Sequence, residues 1–175
     1  TISAGSTTGT ASFTPTDDSV YEGNETGIVA IDTVSGGSAT EDGTQSVTIT
    51  ITENESSPTV TLTTSDTSIA ENSGSTLTLT ATISQAADED VTVNLGAAGT
   101  STNGTDYGSI SSITVSAGAT TGTANFTPTD DSVYEGNETA VISISSISGA
   151  DASESGSQSV TITIVENDST PVVTL

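Results

Sequence analysis

Lysine, arginine, histidine, cysteine, methionine and tryptophan are all absent from this 175-residue sequence. With 23 acidic residues and no basic side chain, the formal charge is −23. A field of that sign repels nucleic acid and anionic lipid, so neither is expected as a partner. Without His, Cys or Lys there can be no Ser–His pair, no thiolate nucleophile and no Schiff base. Carboxylate-only chemistry of the glycosidase kind remains open in principle. Sites of that kind want aromatic sugar platforms, and the chain offers three Tyr and two Phe; the expectation is a non-enzyme. No disulfide can brace the chain, and without Lys no Lys–Asn isopeptide bond can form. No apolar run approaches the 18 or so residues that a spanning helix needs, so membrane insertion is not expected. Whatever stiffens this polypeptide must come from packing or from something bound.

What the sequence does contain is a repeat. The segment ASFTPTDDSVYEGNET at Ala11–Thr26 returns as ANFTPTDDSVYEGNET at Ala124–Thr139. The same offset of 113 lays Thr1–Leu62 on Thr114–Leu175 without a gap, with 43 of 62 positions identical. A period of this length suits a whole domain per repeat and not a solenoid coil. The division this implies is a C-terminal half-repeat at 1–57, a complete repeat at 58–170, and the first strand of a third at 171–175. The joints TENESSP and VENDSTP are short, and each Pro restricts its own backbone and that of the residue before it. Stiff joints are expected.

Within the complete repeat, apolar residues alternate with Thr and Ser. Leu77, Leu79, Ala81 and Ile83 do so, then Val91, Val93 and Leu95, then Ile113 and Val115. Ala124 and Phe126, Ile142 and Ile144, and Val160, Ile162 and Ile164 continue the pattern. Short period-2 runs broken by Gly, Asn, Asp and Ser predict half-buried antiparallel strands. About seven of them per 113 residues predict an all-β chain of tandem immunoglobulin-like Greek-key sandwiches. The abundant Thr are good outward-facing strand formers.

The acids cluster. Asp130, Asp131, Glu135 and Glu138 share one loop, Glu166 and Asp168 close the last strand, Glu71 lies in SIAENSG and Asp106 in NGTDYG. A Greek-key order would bring these eight carboxylates to one end. That concentration is costly unless a cation neutralises it, and Ca²⁺, which takes six to eight oxygen ligands flexibly, suits it better than Mg²⁺. Ordinary solvated loop acids are the plainer alternative.

These segments, from SIAENSGSTLTLTATIS through NGTDYGSI and TDDSVYEGNETAVISISS to QSVTITIVEND, resemble the Calx-beta family along the whole complete repeat. The resemblance implies calcium binding, as in sodium/calcium exchangers and bacterial adhesins, by several ions per repeat. It assigns as ligands Glu71, Asp106, Asp130, Asp131, Glu135, Glu138 and the triplet Glu166, Asn167, Asp168. In the half-repeat the matching positions are Asp17, Asp18, Glu22, Glu25, Glu53, Asn54 and Glu55. Ser132 and the VEND ending depart from the more acidic pattern of sensor members, which implies fewer or differently tuned ions. The resulting expectation is a calcium-stiffened spacer or fibre repeat of a secreted bacterial surface adhesin or extracellular filament. Its partners would be neighbouring repeats, with self-association into fibres. The alternatives are a calcium-sensing regulatory domain, which would want unequal domains, and a carbohydrate-binding or enzyme-accessory module, which would want exposed aromatics.

Overall fold

A computed structural model describes all residues from Thr1 to Leu175. The chain divides into two units, one of Thr1–Ser19 with Asn24–Thr52 and one of Val20–Gly23 with Glu53–Leu175. The first holds a single antiparallel pair, β1 (Glu25–Ala30) on β2 (Ser46–Ile51), in register from Glu25–Ile51 to Ala30–Ser46. The second holds β3 (Thr59–Thr64), β4 (Ser68–Ala70), β5 (Leu77–Ile83), β6 (Val91–Gly99), β7 (Ser112–Val115), β8 (Thr121–Phe126), β9 (Glu138–Ser148), β10 (Ser153–Glu154) and β11 (Ser159–Val165).

The second unit is a two-sheet sandwich. One sheet runs β10-β3-β5-β8 and the other β4-β11-β9-β6-β7. The chain changes sheets between β3 and β4, where Ser65 N–H still donates to Thr78 O at 2.9 Å and Thr67 O already accepts from Thr163 N–H at 2.9 Å. Alternation sets the layers. Leu77, Leu79, Ala81 and Ile83 are buried while the Thr between them are half-buried, and Val60, Val91, Val93, Ile113, Val115, Phe126, Ile142 and Ile162 are among the residues that share their core. Burying these side chains is the main source of stability, at about 25 cal/mol per Å² of apolar area. The strands expected within the complete repeat are all present, and β4 and β10 are additional short edge pieces; Pro171–Leu175, expected as the first strand of a third repeat, is exposed and pairs with no strand.

The sheets approach closely at Gly122, where an added Cβ would fall on the carbonyl of Thr114 in the facing sheet. Gly9, the same position one repeat earlier, faces the carbonyl of Thr1 in the same way. Gly122→Val should therefore cost about 1–3 kcal/mol by overpacking, read as a lowered urea midpoint; an unchanged midpoint would contradict this packing.

In the first unit, positions equivalent to core residues are open. Phe13 is 49% exposed where Phe126 is 0%, and Val29 is 51% exposed where Ile142 is 0%.

Candidate metal centre

Four segments meet at one end of the sandwich. The first is the turn after β4, a single 3₁₀ turn at Glu71–Ser73. The second is the loop between β6 and β7, where Thr102 N–H donates to Asp106 Oδ2 at 2.6 Å. Tyr107 fixes that loop: it is fully buried, and its ring stacks on Phe126 with centroids 4.6 Å apart. A backbone bond from Gly104 N–H to Tyr107 O (2.9 Å) closes the loop on itself, and one from Thr129 N–H to Asp106 O (2.9 Å) ties it to the neighbouring acid loop. The third segment is that acid loop, between β8 and β9, and the fourth follows β11.

Carboxylate oxygens of Asp106, Glu135 and Glu138 lie within 4.8 Å of one another. Burial first, and then Asp106 and Glu135, push the Glu138 carboxyl above its ordinary value. Burial, then Asp106, Asp131 and Glu166, do the same to Glu135. Beside this trio is a second group. Glu71, a buried acid, accepts a long 3.4 Å bond from Asp131 N–H. Burial raises its carboxyl, with Glu166, Asp131 and Asp130 adding to the effect. Burial and then Glu166, Asp130 and Asp131 also raise Asp168, whose Oδ2 is covered and meets no hydrogen-bond donor.

Glu166 is different. Its Oε2 accepts N–H from Glu135 (2.6 Å) and Gly136 (2.9 Å), and its Oε1 from Asn167 (2.8 Å) and Asp168 (2.7 Å). Those donors, led by Asp168, hold its carboxyl below the ordinary value. Four N–H groups match the lone-pair capacity of a carboxylate, so Glu166 works as a clamp joining the acid loop to the end of β11. Asn167 is exposed and contributes its backbone N–H. Asn137, which sequence reasoning did not single out for the site, accepts Glu166 N–H on Oδ1 at 3.1 Å.

The clamp recurs at the equivalent positions. Glu53 Oε2 accepts from Glu22 (2.6 Å) and Gly23 (2.7 Å), and Oε1 from Asn54 (2.8 Å) and Glu55 (2.9 Å). The N–H groups of Glu55 and Glu22, and less so Gly23, lower the Glu53 carboxyl to about 2 against an opposing effect of burial. Glu22, Glu53, Asn54 and Glu55 belong to the second unit, Asp17, Asp18 and Glu25 to the first.

A hard divalent cation fits the end of the complete repeat. Its donors are all oxygens, they repel one another in its absence, and the covered Asp168 Oδ2 lacks the partner that a buried polar atom requires. An all-β sandwich with an acid-lined end formed by these four segments defines a class of domain. The chain belongs to the Calx-beta domain family, whose pattern matches residues 3–55 and 53–168. A crystal structure of an apo-form Calx CBD1 domain is similar with a TM-score of 0.51 at 18% identity, covering 63% of this chain and 99% of that one. A crystal structure of CBD12 from CALX1.2 gives 0.47 at 19% identity over 56% of this chain and 40% of that one. Among curated proteins none matches.

Proposed function

We propose that this chain is a calcium-binding structural segment of a secreted bacterial surface adhesin or extracellular filament, its repeats stiffened by Ca²⁺ at the acidic ends beside the joints. The observation that carries the reading is the convergence of Asp106, Glu135 and Glu138 within 4.8 Å in a chain without a single cationic side chain. Asp106, Glu135 and Glu138 would hold one ion. Glu71, Asp130, Asp131 and Asp168 would supply the oxygens of a neighbouring position. Glu166 would set the loop that presents both groups, and Glu53, which holds Glu22 and Gly23 in the same way, would set the loop of the preceding copy. Bound calcium supplies the positive charge that the sequence lacks. The clamps join each acid loop to the residues just before the joint Pro, so fixing the loop also fixes the chain's exit. Near-identical copies favour a repeated mechanical element over a sensor of unequal domains.

Individual ligands test the site. Asp131→Asn and Glu135→Gln should each weaken calcium binding about tenfold or more, whereas Asp88→Asn, away from the cluster, should leave it unchanged. Equal effects from all three would mean that bulk charge governs the response. The mechanical part is read by small-angle scattering: calcium should remove the high-angle rise of a flexible chain, and superimposable curves in calcium and chelator would contradict a stiffening role.

A further inference from the structure

The acid loop carries a tyrosine next to its glutamate, and the two copies of that tyrosine differ in surroundings. Tyr21 forms a parallel bridge with Ala87, within the second unit. Its N–H donates to Ala86 O at 2.9 Å, and its carbonyl accepts from Asp88 N–H at 3.1 Å. Its hydroxyl donates to Asp151 Oδ2 at 3.0 Å, and its ring packs against the edge of the core. Ala87 beneath it is 1% exposed. Tyr134, one repeat on, is 42% exposed and makes no such bridge.

The loops themselves do not account for the difference. The backbone on the C-terminal side of each tyrosine is held alike, Glu22 and Gly23 by Glu53, Glu135 and Gly136 by Glu166. What differs is the surface across the loop tip. For Tyr21 that surface belongs to the complete repeat that follows it in sequence: the Ala86–Asp88 turn and the carboxylate of Asp151.

The socket has a built feature of its own. Gly149, Ala150 and Asp151 all have left-handed backbone, with φ of 97°, 52° and 47°, a conformation that costs non-glycine residues energy. Glu89 holds this turn by accepting Ala150 N–H. The matching turn one repeat earlier, Gly36, Gly37 and Ser38, is also left-handed throughout, so the turn does not depend on a docked tyrosine. Asp151 adds a charged acceptor where the earlier copy has Ser38.

We infer that the tyrosine of the TDDSVYEG loop is a plug by which each repeat docks on the next, with Ala86–Asp88 and Asp151 as its socket. The partner that Tyr134 fits is a further copy of this domain. Consistent with that, Pro171–Leu175 repeats Pro58–Leu62 with one change. Paired backbone bonds give the contact a fixed register, and the phenol–carboxylate bond is its variable, strengthening part. The inference deepens the spacer reading and rests on it for its meaning, since it names the surface through which one acid loop reaches the following domain.

Amide hydrogen exchange on the whole 175-residue chain in calcium tests the plug. The Tyr21 and Asp88 amides should exchange at least tenfold more slowly than that of Tyr134, a comparison that needs no variant. Tyr21→Ala should remove most of the protection at Asp88, while Tyr134→Ala should leave it unchanged. Tyr21 and Tyr134 amides exchanging alike, or the two variants acting alike at Asp88, would overturn the inference. The two readings fail separately. Calcium uptake with both amides unprotected overturns the plug alone; protected Tyr21 and Asp88 amides without calcium uptake overturn the metal reading alone.

Discussion

Adding 10 mM calcium to chelator-treated protein is expected to raise its melting temperature by roughly 6–22 °C for each ion bound. The size follows from linkage, because an ion that binds only the folded state stabilises it by RT ln(1 + [L]/Kd). With Kd in the range of about 10⁻⁴–10⁻³ M usual for extracellular calcium modules, each site contributes about 1.4–2.7 kcal/mol at that concentration. For a domain of about 100 residues, each 1 kcal/mol moves the midpoint by about 4–8 °C. The expectation rests on Asp106, Glu135 and Glu138, whose clustered oxygens have no other source of positive charge, and on Asp168, whose Oδ2 lacks a partner. Magnesium should give a much smaller shift, since it holds its water tightly and wants a strict octahedron. Equal shifts from the two ions would point to general screening of the −23 charge.

The second large effect is a change in the sign of the pH dependence. In chelator, Glu71, Glu135, Glu138 and Asp168 have carboxyls raised above their ordinary values of 4.5 and 3.8, chiefly by burial. A raised acid stabilises the fold fully below its unfolded value, and that contribution is lost as pH rises through the folded one. The lowered acids work oppositely. Glu53 and Glu166 contribute above about 4.5 and lose that contribution as pH falls, for Glu53 through a folded value of about 2. Chelator-treated protein should therefore melt at a higher temperature at pH 5 than at pH 7.5. In saturating calcium the order should reverse, because protons compete with the ion for the same oxygens. Melting curves at the two pH values, with and without chelator, check this, and the same order in both conditions would contradict it.

Much of this fold is legible because a sandwich strand buries every second residue. Leu77–Ile83 and Ser159–Val165 announce themselves by that period, and the structure gives them the corresponding burial. Strands β4 and β10, at three and two residues, are too short to carry a period. They exist because β11 and β3 offer them an edge through parallel pairing. The acids are legible as a set, since type and spacing alone pick them out. Their division of labour is not. Glu166 and Asp168 look equivalent in VEND, yet one meets four N–H donors and the other has an oxygen without any. That distinction depends on a loop some 30 residues away folding back onto Glu166, which no local pattern encodes. The docking of Tyr21 likewise has no sequence signal, because Tyr21 and Tyr134 sit in the same eight-residue motif and differ only in what faces them.

Direct calcium titration of the 175-residue chain, beside a variant carrying Asp106→Asn and Glu138→Gln, tests the central claim most directly. These changes keep side-chain size and remove two of the three clustered charges, so the fold should persist, as circular dichroism would verify. The account predicts saturable binding by the native chain at millimolar or lower calcium, and a folded variant that binds fewer ions or binds them at least tenfold more weakly. A native chain that shows no saturable binding, or a folded variant that binds calcium as the native chain does, would contradict it.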